Sequence, residues 1–112
     1  MLYATEKQEL QSELFIAGYR LDQQIQSIQI GNEHIRLRNK IWEVFIYFVK
    51  HKGKLVSREY MIENFWDGNT LSGERGVTHT ICQLRRVFKQ LGIDAKIVTI
   101  SKRGYVLQER QT

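Results

Sequence analysis

"VTHTICQLRRVFKQLG", residues 77–92, decides the fold. At about 100° per residue, Val77, Ile81, Leu84, Phe88 and Leu91 fall within about 40° of one line. The opposite side carries His79, Cys82, Gln83, Arg86, Lys89 and Gln90, with Thr78 and Arg85 on its margin and no acid. One side is therefore core, and the other is cationic and rich in hydrogen-bonding groups. Gly92 ends the helix. A solvated amphipathic helix has the same pattern, so its meaning depends on its neighbours.

Immediately upstream, DGNTLSGERG (67–76) is a loop by composition, with Gly76 delaying the start of the helix that follows. REYMIENFW (58–66) is a second helix with Ser57 as its N-cap, turning Met61, Ile62, Phe65 and Trp66 inward. In NKIWEVFIYFVKHKG (39–53), Trp42, Phe45, Ile46 and Val49 recur at i, i+3, i+4 and i+7. Ile41, Val44 and Phe48 widen that stripe, making this the central helix, stopped by a basic last turn and Gly53. Before it, LFIAGYRLD (14–22), IQSIQI (25–30) and HIRL (34–37) read as strands, with GNE (31–33) as a turn. Residues 1–13 are a polar N-terminal tail.

Downstream, KIVTI (96–100), the SKRG turn (101–104) and YVL (105–107) form a β-hairpin. Gly104 supplies the freedom of a tight turn. Val98, Ile100, Tyr105 and Leu107 anchor the strands and leave Lys102 and Arg103 at the tip. Two adjacent cations add nothing to a core; they suit either a polyanion or a turn kept soluble by charge. The fold class is α+β: an N-terminal antiparallel sheet, three helices and a C-terminal hairpin, one domain over 14–108.

The chain's 112 residues suffice for one modest core, and 42% hydrophobic with 26% charged residues is ordinary for a globular protein. Its net charge of +5 is uneven. Residues 1–33 hold two basic against five acidic side chains, a balance of −3, which leaves +8 for the remainder. That asymmetry fits a polyanionic partner and, equally, a merely soluble basic surface. No apolar run approaches the ~20 residues of a membrane span, and MLYATEKQEL is not a signal peptide. Cys82 is the sole cysteine, so no disulfide framework exists and a cytoplasmic location is expected.

Enzyme chemistry finds no foothold. His34, His51 and His79 lie on separate elements, with no cysteine pair or carboxylate at metal-ligand spacing. Neither a metal nor a cofactor is expected. Cys82, beside arginines, is either a redox-sensing thiol or simply a small side chain.

The set of elements is what points to DNA. The major groove, about 12 Å wide, admits one helix, whose outward Thr, His, Gln and Arg side chains then meet base edges and phosphates. A rigid cationic tip suits the negative potential of the minor groove or a row of phosphates beside it. On this reading Arg86 faces bases and Lys89 a phosphate.

The ordered motifs "LVSREYMIENFW", "ERGVTHTICQLRRVF" and "TISKRGYVL" resemble the winged helix-turn-helix output domain of OmpR/PhoB-type bacterial regulators. The "KRGY" wing and the lead-in "LFIAGYRLDQQIQSIQIGNEHIRL" are closer to the ToxR/CadC-type one-component activators. The resemblance covers residues 14–108. It implies phosphate contacts for Arg58, Trp66 and Arg75, and base contacts for Thr78, His79 and Gln83. It also implies base or phosphate contacts for Thr80 and Cys82, although the helical wheel sets Thr80 nearer the core. Thr99 and Tyr105 match backbone contacts of the wing, and Lys102 or Arg103 its minor-groove cation. The 67–75 loop matches the surface offered to RNA polymerase.

The chain departs from the family pattern in places. Cys82 and Gln83 stand where consecutive basic residues are common, which implies an A·T-leaning site or weaker binding. Arg38-Asn39 replaces the usual Thr-Pro opening of the first helix, leaving Asn39 as a substitute cap. No receiver domain and no membrane anchor accompany the winged domain, so it reads as free-standing or as the cytoplasmic part of a membrane-anchored regulator. The expected function is sequence-specific binding of double-stranded DNA, in tandem or as a homodimer, to regulate transcription. The alternative is a winged helix that has lost DNA and docks RNA polymerase or a partner regulator.

Overall fold

The computed structural model describes residues 13–110, so the tail expected over 1–13 lies almost wholly outside the described residues. Four short strands come first: β1 (Leu14–Ile16), β2 (Tyr19–Asp22), β3 (Ser27–Ile30) and β4 (Glu33–Arg36), an antiparallel meander in that order. LFIAGYRLD, expected as one strand, is instead a hairpin. Ala17 and Gly18 take φ of 49° and 87° and fold β2 back on β1, pairing Leu14 with Leu21. Two consecutive positive φ angles match the right-handed twist of a hairpin, which an unbroken strand through Gly18 would forgo. Row by row, Leu14, Leu21, Ile28 and Ile35 lie side by side across the sheet.

Helix α1 (Asn39–Lys50) buries Trp42, Val44, Phe45, Ile46, Phe48 and Val49, and packs against β1 and two further helices. Phe45 meets Trp42 and Phe88 edge to face at centroid distances of 5.9 and 5.8 Å, an arrangement the ring quadrupoles favour. Asn39 does not cap this helix; Arg38 is the N-cap, without a side-chain bond. The Asn39 amide oxygen instead accepts from Gln26 Nε2 at 2.9 Å, tying the helix to the sheet.

A three-residue strand, β5 (Leu55–Ser57), leads directly into α2 (Arg58–Phe65), capped as expected by Ser57, whose hydroxyl accepts from Tyr60 N at 3.0 Å. The 67–76 loop is corrected by the structure. Helix α3 runs from Thr70 to Leu91, with Asn69 capping it through Ser72 N at 3.0 Å, so only residues 67–69 turn. Composition misled because the glycines serve packing. A Cβ on Gly73 would stand 2.7 Å from the Ile62 side chain, and one on Gly76 2.3 Å from the Trp66 indole. Glycine costs about 1 kcal/mol in a helix, a cost accepted here so that α2 and α3 can touch.

Strands β6 (Ala95–Ile100) and β7 (Gly104–Glu109) form the C-terminal hairpin, and β5 joins it in the order β5-β7-β6. Ile97, buried on β6, anchors this hairpin with Tyr105 and Leu107, whereas Val98 and Ile100 are only half-buried. Gly104, with φ 152°, supplies the backbone freedom expected of it, and close packing demands glycine there as well. It pairs with both Ser57 and Ile100, and a Cβ there would lie 2.2 Å from the Val56 carbonyl oxygen. Lys102, with φ 62°, is a second residue of positive φ in this turn.

Candidate nucleic-acid interface

Helix α3 turns Val77, Thr80, Ile81, Leu84 and Phe88 into the core and holds its other side outward. Arg75, Thr78, His79, Cys82, Arg86 and Lys89 are exposed along that side, with Gln83 half-buried. His79 and Gln83, one turn apart, bring their side-chain nitrogens to 3.5 Å of each other. Thr80 is a correction. At 3% exposure it belongs to the core side, as its place in the 3.6-residue period dictates, and its hydroxyl is withdrawn from a phosphate.

The second group gathers around Arg58 at the first position of α2. Its Nε and Nη2 donate to Glu74 Oε1 at 3.1 and 2.6 Å. Nη2 also donates to the Glu74 carbonyl at 3.0 Å and to Thr78 Oγ1 at 3.2 Å. Nη1 donates to the Tyr105 hydroxyl at 2.6 Å. One guanidinium therefore ties α2 to α3 and to β7. Partial burial works against its charge, but the hydrogen bonds and the pull of Glu74 and Tyr105 outweigh it and hold the Arg58 pKa above its ordinary value.

Arg85 makes a parallel brace. Its Nε and Nη2 donate to the Ile97 carbonyl at 3.1 and 2.6 Å, and Nη2 to Thr99 Oγ1 at 2.9 Å. The Arg58 and Arg85 guanidinium carbons each lie 6.0 Å from the centroid of the Tyr105 ring. Tyr105 is thus held by two cations, its ring buried and its hydroxyl engaged. These bonds set the angle between α3 and the hairpin. Lys102 and Arg103 stand exposed at the turn, which is closed by Arg103 N donating to Ile100 O at 2.9 Å.

Trp66 is half-buried against Gly76, with Lys40 Nζ 5.4 Å from its ring centroid. Lys40 also donates to the Phe65 carbonyl, closing the end of α2. The structure thus brings Arg58, Thr78 and Tyr105 together and joins Thr99 to them through Arg85. Arg75, Arg86 and Lys89 stand apart along α3. Sequence reading missed two residues here, Glu74 and Arg85. Arg85 had a signal, because a long cation at the margin of an apolar stripe reaches the next element. Glu74 had none while its segment read as a loop.

A helix whose outer side is exposed and basic, braced to a cationic hairpin, defines a winged helix of the DNA-binding, transcription-regulating class. The family described as "Transcriptional regulatory protein, C terminal" matches residues 31–107, and the chain belongs to it. It is 29% identical over 85 residues to the transcriptional activator CadC of Escherichia coli K12, covering 74% of this chain and 16% of that protein. The solved DNA-binding domain of that activator superposes with a TM-score of 0.74 at 25% identity, covering 89% of this chain and 94% of the domain. The heme response regulator HssR of Staphylococcus aureus is 28% identical over 97 residues, 87% of this chain and 43% of that protein. The DNA-binding domain of the response regulator AdeR, solved with an intercistronic region, shares the fold at TM-score 0.70 and 20% identity, covering 88% of this chain and 100% of that one. The chain thus spans less than half the length of these curated relatives. Among the described residues, no helix is long and apolar enough to cross a membrane, and no three His, Cys, Asp or Glu side chains gather as metal ligands.

Proposed function

We propose that the chain is a sequence-specific reader of double-stranded DNA that regulates transcription in the bacterial cytoplasm. The observation that carries this is the outer side of α3, where no acid interrupts the exposed residues between Arg75 and Gln90. Thr78, His79, Cys82, Gln83 and Arg86 face bases in the major groove. Arg75 and Lys89 contact phosphates, with Arg58, Trp66, Thr99 and the Tyr105 hydroxyl bordering the same strand. Lys102 and Arg103 enter the flanking minor groove or follow its backbone. Binding in tandem or as a homodimer supplies the contact area that one module lacks.

Anisotropy of a labelled random-sequence duplex from about 50 to 200 mM salt tests this, with a slope of about −0.9 per phosphate engaged. Arg103→Ala weakens binding to all sequences alike, and Gln83→Ala relaxes preference at one base position. Flat, negligible binding overturns the reading. It would favour the second one, docking of RNA polymerase or a partner regulator, which has an observation of its own. Leu71, in the first turn of α3 within the 67–75 segment, is 80% exposed, as an apolar side chain awaiting a protein would be.

A further inference from the structure

We infer that Glu74 is a built-in competitor for the phosphate that Arg58 would grip, and that it restrains sequence-blind binding so that base contacts decide affinity. This rests on the DNA-reading function proposed above. Glu74 lies four residues before Thr78, on the same side of α3 and next to Arg75. Its Oε1 accepts from both Nε and Nη2 of Arg58, the side-on approach by which a guanidinium also takes a phosphate oxygen. The Glu74 carbonyl, Thr78 and Tyr105 take further donors, so that among the described residues only one Nη1 N–H of Arg58 lacks an acceptor.

A phosphate reaching Arg58 therefore meets one of two conditions. Either the guanidinium exchanges Glu74 for it, or the phosphate settles beside a carboxylate whose side chain is 53% exposed. Both oppose binding, and neither depends on base sequence. Phosphate contacts supply essentially all non-specific affinity, whereas base contacts supply discrimination. An acid at the head of the reading helix thus lowers the first without touching the second. Arg58 keeps its tie to the wing throughout, because Nη1 makes the bond to Tyr105 while Nε and Nη2 face Glu74.

The test compares the 112-residue chain with Glu74→Gln and Glu74→Asp on the labelled random-sequence duplex across the same salt series. Thermal melting checks that both variants stay folded, as an exposed i, i+4 position allows. Glu74→Gln is expected to bind about five-fold more tightly at low salt, the scale of one exposed ion pair, and Glu74→Asp to bind like the natural chain. The salt slope of Glu74→Gln should steepen by about 0.9, the signature of one more phosphate engaged. If the natural chain binds and Glu74→Gln binds equally or more weakly at unchanged slope, Glu74 only positions Arg58 and the inference is overturned. If neither binds, this inference and the DNA-reading function both fall. If Glu74→Gln alone binds, the DNA-reading function of the natural chain falls, and this inference falls with it.

Discussion

The N-terminal sheet follows chain order, β1-β2-β3-β4, with each strand folding back on the one before, whereas the C-terminal sheet runs β5-β7-β6 and takes β5 from between two helices. The first is a local object. Its inner rows of Leu, Ile and Tyr cover α1, and among the described residues its polar ties to the rest are the Gln26–Asn39 bond and the Ala17 N–H donated to Glu109 Oε2 at 2.7 Å. The second is a non-local object wired into the helices by two guanidinium groups, Arg58 and Arg85, and by a backbone approach at Gly104 that admits no side chain. The difference suits the proposed DNA-reading function. A sheet that presents Lys102 and Arg103 must hold them at a set angle to α3, and directional charge-assisted bonds fix angles better than apolar contact does. A sheet that only covers the core needs no such bracing.

Three substitutions probe this contrast. The largest effect is expected from Gly104→Ala, because the obstructing atoms are the backbone of Val56 and Ser57 and have nowhere to move. A cost of about 3 kcal/mol is expected, seen as a melting temperature lower by about 10 °C or more. A change below about 2 °C would mean that β5 and β7 separate easily and that the C-terminal sheet is as loosely held as the N-terminal one.

Arg85→Met keeps the aliphatic stem and removes the bonds to Ile97 and Thr99. It should cost about 1.5 kcal/mol in urea unfolding. It should also speed amide exchange along β6 more than along β2 or β3. Equal acceleration in both sheets would mean that Arg85 braces the C-terminal sheet no more than the N-terminal one.

The smallest effect belongs to Glu109, which also pairs with Lys52 Nζ at 3.1 Å. The hydrogen bond from Ala17 N–H, followed by the Lys52 contact, holds its carboxyl below the ordinary 4.5, against burial that would raise it. A depressed folded-state pKa stabilises fully above the unfolded value and is lost as pH falls through the folded one. Glu109→Gln should therefore cost about 1 kcal/mol at neutral pH, the difference from the natural chain shrinking as the pH drops below about 4. A difference that stays constant from pH 7 to about pH 3 would assign the tie to packing rather than to the carboxylate charge.

Legibility in the sequence tracks the same contrast between local and non-local. Helix α1, the Ser57 cap and the apolar line of α3 were readable because each is written within one or two turns of chain. So was the hairpin tip. The start of α3 was not, because Gly73 and Gly76 look identical in sequence whether they loosen a loop or let Ile62 and Trp66 approach a helix. Strand β5 was missed for a related reason: three residues show no period, and its partner β7 lies some fifty residues away. Among the predicted site residues, Thr78, His79, Cys82, Arg86, Lys89, Lys102 and Arg103 stand exposed where periodicity and turn chemistry set them. Thr80 does not, and the wheel by itself had placed it toward the core.

Sequence alone determined that one helix would bury Val77, Ile81, Leu84 and Phe88 while showing a basic side, that a hairpin would carry two cations, and that the order of elements is that of a winged helix. Those are consequences of period, composition and turn residues acting over short range. Tertiary structure decided how the parts face one another: Tyr105 held between Arg58 and Arg85, Gly104 pressed on β5, and Glu74 brought onto α3 in front of Arg58. Charge pairing and close approach depend on distances through space. Those distances exist only once the hydrophobic core has drawn distant segments together.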